Sequence, residues 1–154
     1  MIAKKDTERT LQFCVLDSML NDYGLLHGGE LFKMMDTVAG FCSHDYSGRY
    51  ALTKSVNNFT FLKPGKEGDM IRVTGIIDYT GTTSMEVYLK ATIIETETLI
   101  ASGYFTMVAI DENMKATKVP ALKLETEDDR KYYRQALQRR NIYKSIDQAK
   151  ERMQ

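Results

Sequence analysis

The sequence predicts an α+β fold in which an antiparallel sheet wraps around one central helix. Three observations carry that expectation. A Met-, Leu- and Phe-rich helical stretch comes early in the chain. Several β-prone runs then follow one another with only short turns between them. Strands and helices do not alternate, which disfavours a doubly wound parallel sheet.

The elements read in order. Thr10 to Leu16 is apolar and β-prone, and Asn21-Asp22-Tyr23-Gly24 is turn chemistry. Gly29 to Ser43 reads as the central helix. Strands are expected over Leu52–Leu62, Met70–Tyr79, Ser84–Glu95 and Thr98–Ile110. They are punctuated by Lys63-Pro64-Gly65, by Thr80-Gly81-Thr82-Thr83 and by Asp111-Glu112-Asn113. Pro120 closes the sheet region, and Thr126 is placed to cap a second helix with Asp129 three residues on. The domain division expected is 1–124 for the sheet and central helix, with 125–154 as a C-terminal helical extension.

Composition narrows the function classes. The 154 residues carry 21 Lys+Arg and 21 Asp+Glu, and this balance disfavours a nucleic-acid binder. No apolar run approaches the roughly 18 residues of a membrane span. The first residues lack the apolar stretch of a signal peptide, so the expected compartment is the cytoplasm. Two cysteines, Cys14 and Cys42, read as reduced thiols. They do not pair with His27 and His44 at metal-ligand spacings, and no Gly-x-Gly-x-x-Gly or phosphate loop occurs.

Candidate chemistry concentrates on the first helix. At about 100° per residue, Leu31, Met34, Met35, Val38, Phe41 and Cys42 share an apolar face. Around Asp36 lie Gly29, Phe32, Ala39, Gly40 and Ser43, a mostly small stripe that allows close approach of a ligand or another backbone. A carboxylate on a face built to be covered must be paired or working; a surface pair with Lys33 is the plain alternative. His27-Gly28-Gly29 at the helix start offers backbone N–H groups where the helix dipole favours negative charge, or simply makes a tight turn. Cys42 and His44 stand about 160° apart on a helix and cannot act as a dyad. Near the C-terminus, Arg130, Lys131, Arg134, Arg139, Arg140 and Lys144 form a basic set, and Tyr132, Tyr133, Ala136, Leu137, Tyr143 and Ile146 give apolar spacing for docking.

Asn21-Asp22-Tyr23-Gly24-Leu25-Leu26-His27-Gly28-Gly29, with Asp36 seven residues later, resembles the signature of the hot-dog-fold acyl-CoA thioesterases, in the acyl-CoA hydrolase branch. Phe59-Thr60-Phe61-Leu62-Lys63-Pro64-Gly65-Lys66-Glu67-Gly68-Asp69 resembles that branch's strand and following turn. The resemblance covers about Thr10 to Ile110. It implies a site at a dimer interface, with Asp36 and Asn21 as catalytic residues from different subunits. It also implies a Gly29 amide, with Gly28, polarising the thioester carbonyl, and places His27, Gly28 and Thr60 among the substrate-binding residues. Asp36 would activate water or attack directly. No metal or cofactor is implied, since the CoA thioester is itself the substrate and a thiolate leaves readily. A homodimer, assembled into a tetramer or hexamer, and a role in fatty acid metabolism are expected. The family turn often carries a basic residue where Thr82 stands, so CoA-phosphate contacts are not carried over from it. Two other readings use the same fold: an acyl-CoA-binding sensor without turnover, and a hydratase or dehydratase needing a histidine beside the carboxylate.

Overall fold

The computed structural model describes every residue, Met1–Gln154. The strands are β1 (Arg9–Cys14), β2 (Tyr50–Phe61), β3 (Met70–Thr80), β4 (Ser84–Ile93) and β5 (Thr98–Ile110). The helices are α1 (Gly28–Ser47) and α2 (Glu127–Met153), with short 3-10 turns at Lys4–Thr7 and Asp17–Met19. All five strands form one sheet in the order β1-β3-β4-β5-β2, every neighbouring pair antiparallel. This is the expected α+β architecture.

α1 starts one residue earlier than expected and runs a turn longer. It stops at Gly48, which takes the left-handed conformation (φ 66°) and donates its N–H to the His44 carbonyl. Thr126 and Asp129 form the expected capping box at the start of α2.

The core lies between α1 and one face of the sheet. Leu31, Met35, Val38, Ala39, Cys42 and Tyr46 meet Ile71, Val73, Ile77, Val87, Leu89 and Phe105, all buried. Gly75 is required there: a Cβ would come within 2.8 Å of Leu89 and 3.0 Å of the Cys42 sulfur. One part of the helical reading shifts. Ala39 and Ser43 belong to the core, whereas Phe41 is exposed, because the sheet covers the helix from the side of the small residues and leaves Phe41 on the far flank.

The opposite face of the sheet is covered by α2. Antiparallel pairing places Tyr88 beside Ile76 and Tyr104, and Arg139 of α2 reaches Asp78 at 3.0 Å and Glu86 at 2.6 Å. At the sheet's edge, β2 has no neighbour on one side. It exposes Tyr50, Leu52 and Phe61, with Leu62 just beyond.

Candidate active site

α1 and the edge strand β2 bring one carboxylate and one hydroxyl together. The Thr53 hydroxyl donates to Asp36 Oδ1 at 2.5 Å. Asp36 is half-buried and makes no ion pair, so pairing with Lys33 does not occur; the Lys33 carbonyl instead accepts from the Thr37 hydroxyl. A hydroxyl on one carboxylate oxygen fixes the plane of the group and leaves the other oxygen free to accept a proton. Thr53 was not singled out from the sequence. Thr60, which was, lies exposed at the far end of the same strand, paired across the sheet with Ser102, and makes no side-chain hydrogen bond.

The helix tip is built by the residues before it. His27 caps α1, its Nδ1 accepting the Gly29 N–H at 2.9 Å. The Gly29 amide is therefore engaged, and the Gly28 amide is the helix-tip donor without a protein partner. Glycine at position 28 lets the Phe61 ring close against the helix tip, since a Cβ there would stand 3.1 Å from it. Asn21 closes the preceding loop: its Oδ1 accepts from the N–H groups of Tyr23 (2.9 Å) and Leu25 (3.1 Å), around Gly24 at φ 72°. Only its NH₂ group is left for other work.

Beside this tip opens a cavity of about 310 Å³, whose lining includes Asn21, Leu25, Leu31, Phe61 and Gly65. The Phe61 ring stacks edge-on against Phe59 (4.9 Å), which meets Phe32 at 5.3 Å. An apolar floor thus leads away from the free Gly28 amide. Within one chain no hydrogen bond joins Asn21 to Asp36: they belong to separate parts of the surface, the loop and the β2 flank of α1.

Other nucleophiles fall away. Cys42 is buried, and burial pushes its thiol up to about 12. The His44 ring is engaged through Nδ1 with the Arg49 carbonyl. No three His, Cys, Asp or Glu side chains converge in a metal-holding group, and no helix is long and apolar enough to cross a membrane.

A helix wrapped by an antiparallel sheet, with a carboxylate on the helix flank and an amide free at its tip, defines the hot-dog class. The chain belongs to the thioesterase superfamily, whose sequence profile matches residues 23–100. It is 34% identical over 140 residues to Protein VdlD of Helicobacter pylori, spanning 88% of this chain and 80% of that one. It is 32% identical over 129 residues to an uncharacterized acyl-CoA thioester hydrolase, YkhA, of Bacillus subtilis, covering 81% and 75%. Among solved structures, an acyl-CoA hydrolase from Staphylococcus aureus, in complex with butyryl coenzyme A and coenzyme A, superposes with a TM-score of 0.88. The identity is 27%, over 98% of this chain and 92% of that one. An apo-hexameric acyl-CoA thioesterase gives 0.87 at 27% identity, over 94% and 96%.

Proposed function

We propose that this protein hydrolyses acyl-CoA thioesters to a free acid and coenzyme A, with Asp36 as general base. The observation that carries the reading is the Asp36–Thr53 pair on the flank of α1. Chain spacing supports it. Alanine variants of an asparagine, an aspartate and a threonine were solved for the S. aureus enzyme, and those residues are separated as Asn21, Asp36 and Thr53 are here.

The thioester carbonyl is polarised by the Gly28 N–H, with the dipole of α1 behind it. Asp36, held by Thr53, removes a proton from water as the water oxygen bonds to the carbonyl carbon. Collapse of the tetrahedral intermediate breaks the C–S bond and releases the CoA thiolate, which takes up the proton. No cofactor enters this scheme. The acyl group lies over Phe59 and Phe61. Asn21 acts from a second copy, its NH₂ orienting the water.

That second copy docks along β2, an edge strand of 12 residues with no neighbour on its outer side and with exposed Tyr50, Leu52 and Phe61. A long apolar edge is a template for another strand, and pairing two β2 edges continues the sheet into a dimer; a hexamer built from dimers follows the assembly of the hexameric relative. Both cysteines are free thiols, which fits the reducing cytoplasm, and free acid and CoA as products support a role in fatty acid metabolism.

The test is thiol release from acyl-CoAs of short, medium and long chain. Turnover of at least one, lost in Asp36→Ala, is expected. Binding of acyl-CoA without thiol release from any of them would overturn the proposal in favour of a sensor.

A further inference from the structure

On the face of the sheet away from α1, α2 does not seal completely. It leaves a cavity of about 390 Å³ between the N-terminal 3-10 turn, the outer side chains of β3, β4 and β5, and the first turns of α2. Asp36, Asn21 and Gly28 take no part in it.

Lys4 is the informative residue. It is only 7% exposed, yet its ammonium forms no ion pair and no hydrogen bond; it meets only the face of the Tyr132 ring, 4.0 Å from the centroid. Burial lowers its pKa, and the carboxylates of Asp78, Asp129 and Asp128 raise it from a distance without touching it. The Lys4 stem is buried, while its ammonium opens onto the cavity with no carboxylate in contact. Lys90, on the cavity wall, is likewise free of any ion pair. The hydroxyls of Tyr88, Tyr104 and Tyr132 and the amide of Gln135 also line the space and hold no protein partner.

No acid of the cavity is in contact with either lysine. Asp78 sits at the floor with Glu86, and both are tied to Arg139. Burial, and then the neighbouring Glu86 carboxylate, push Asp78 well above the ordinary carboxylate range, and the cation in contact with both acids is Arg139. Among the lining residues Glu8 is the only other acid. The cavity far exceeds a bare inorganic anion, and its walls are three tyrosine rings with Ile76. Rings of this kind favour a flat apolar body.

We propose that this cavity is a second ligand site, binding a small aromatic anion whose phosphate or carboxylate head meets Lys4 and Lys90 and whose ring lies among Tyr88, Tyr104 and Tyr132. Lys4 and Lys90 on the cavity lining give the head its position, and the unpartnered hydroxyls and amide complete its hydrogen bonds.

Titration calorimetry of the full-length, assembled protein tests the site with phenyl phosphate and with benzoate, one arm for each head group. Saturating coenzyme A is present throughout to fill the acyl-CoA site. At least one probe should bind with Kd near or below about 1 mM. Lys4→Gln and, separately, Lys90→Gln should each weaken it by about tenfold or more, with thiol release from acyl-CoA unchanged in both. Lys90 is exposed, so its variant folds whatever Lys4→Gln does. With CoA saturating, the site is refuted if neither probe binds the wild type, or if the Lys90 variant binds as tightly as the wild type. A protein that fails to bind coenzyme A would count against the proposed hydrolase activity, and the calorimetry on the cavity would still be read.

Discussion

Towards α1 the sheet presents Ile71, Val73, Val87, Leu89 and Phe105, each fully buried and apolar. Towards α2 it presents Asp78, Glu86, Tyr88 and Tyr104, with Arg139 laid over the Tyr104 ring at 4.0 Å and clamped between the two acids. Both faces are covered by a helix, but by different physics. The first gains from apolar burial and close packing. The second must satisfy charges taken out of water, and it leaves a cavity where it does not. The proposed chemistry sits at the margin of the first face, where α1 passes beyond the core and Asp36 emerges beside the open edge of β2.

The largest expected effect lies at that margin. Asp36→Ala should lower kcat for acyl-CoA hydrolysis by about 10²–10⁴-fold, with little change in thermal melting because Asp36 is half-exposed and holds no ion pair. A melting temperature that collapses together with activity would make Asp36 part of the core and erase the distinction.

On the other face, Arg139→Met leaves Asp78 and Glu86 buried with no cation, and should cost about 3–5 kcal/mol in urea unfolding. Adding Asp78→Asn and Glu86→Gln should restore much of it. An Arg139→Met protein as stable as wild type would mean that this face is apolar in effect.

Thr53→Val removes one hydrogen bond to a carboxylate and keeps the shape of the side chain. It should reduce kcat about 10–100-fold with KM little altered. On the apolar face, Gly75→Ala forces Leu89, Val38 and the Cys42 sulfur apart and should cost about 1–3 kcal/mol in unfolding without touching Asp36.

The smallest effect is a pH profile. The folded-state pKa of Asp78 is raised above its unfolded value, chiefly by burial and then by Glu86. Its contribution to stability is therefore fully present below the unfolded carboxylate pKa and is lost as pH rises through the raised folded value. Asp78→Asn, which imitates the protonated acid towards Glu86, should gain on wild type in melting temperature as pH rises through that range and keep a constant lead above it. Parallel melting curves across pH would contradict the raised pKa of Asp78.

The sequence made the first face easy to read and the second hard. Strand ends at Lys63-Pro64-Gly65, Gly81 and Asp111-Glu112-Asn113 carry local turn chemistry, and Thr126 with Asp129 carries a local cap, so the elements follow from neighbours in the chain. Asp36, Asn21 and the glycine tip were legible as candidates because they lie on or beside one helix. Thr53 was not. It sits on β2, whose pairing with β5 slips between Thr53 and Ser55 and again between Asn57 and Thr60, so counting alternate residues along the strand cannot say which threonine faces α1. Thr60 stood in the more distinctive motif and drew the attention. The engagement of the Gly29 amide by His27 is likewise a matter of one side-chain rotamer. Arg139 reads in sequence as one more cation of a basic helix, because Asp78 and Glu86, which turn it inward, lie more than fifty residues away.

The most direct test of the central claim, a site on the α1 flank completed by a second subunit, mixes two inactive proteins. Asn21→Ala and Asp36→Ala homodimers are each expected to be nearly inactive. After subunit exchange, verified by native mass, about half the dimers are mixed, and each mixed dimer holds one site with both residues intact. Thiol release should then recover to about a quarter of the wild-type rate per subunit. Demonstrated exchange with no recovery of activity would contradict the account, and would leave Asn21 to the loop that its Oδ1 already closes.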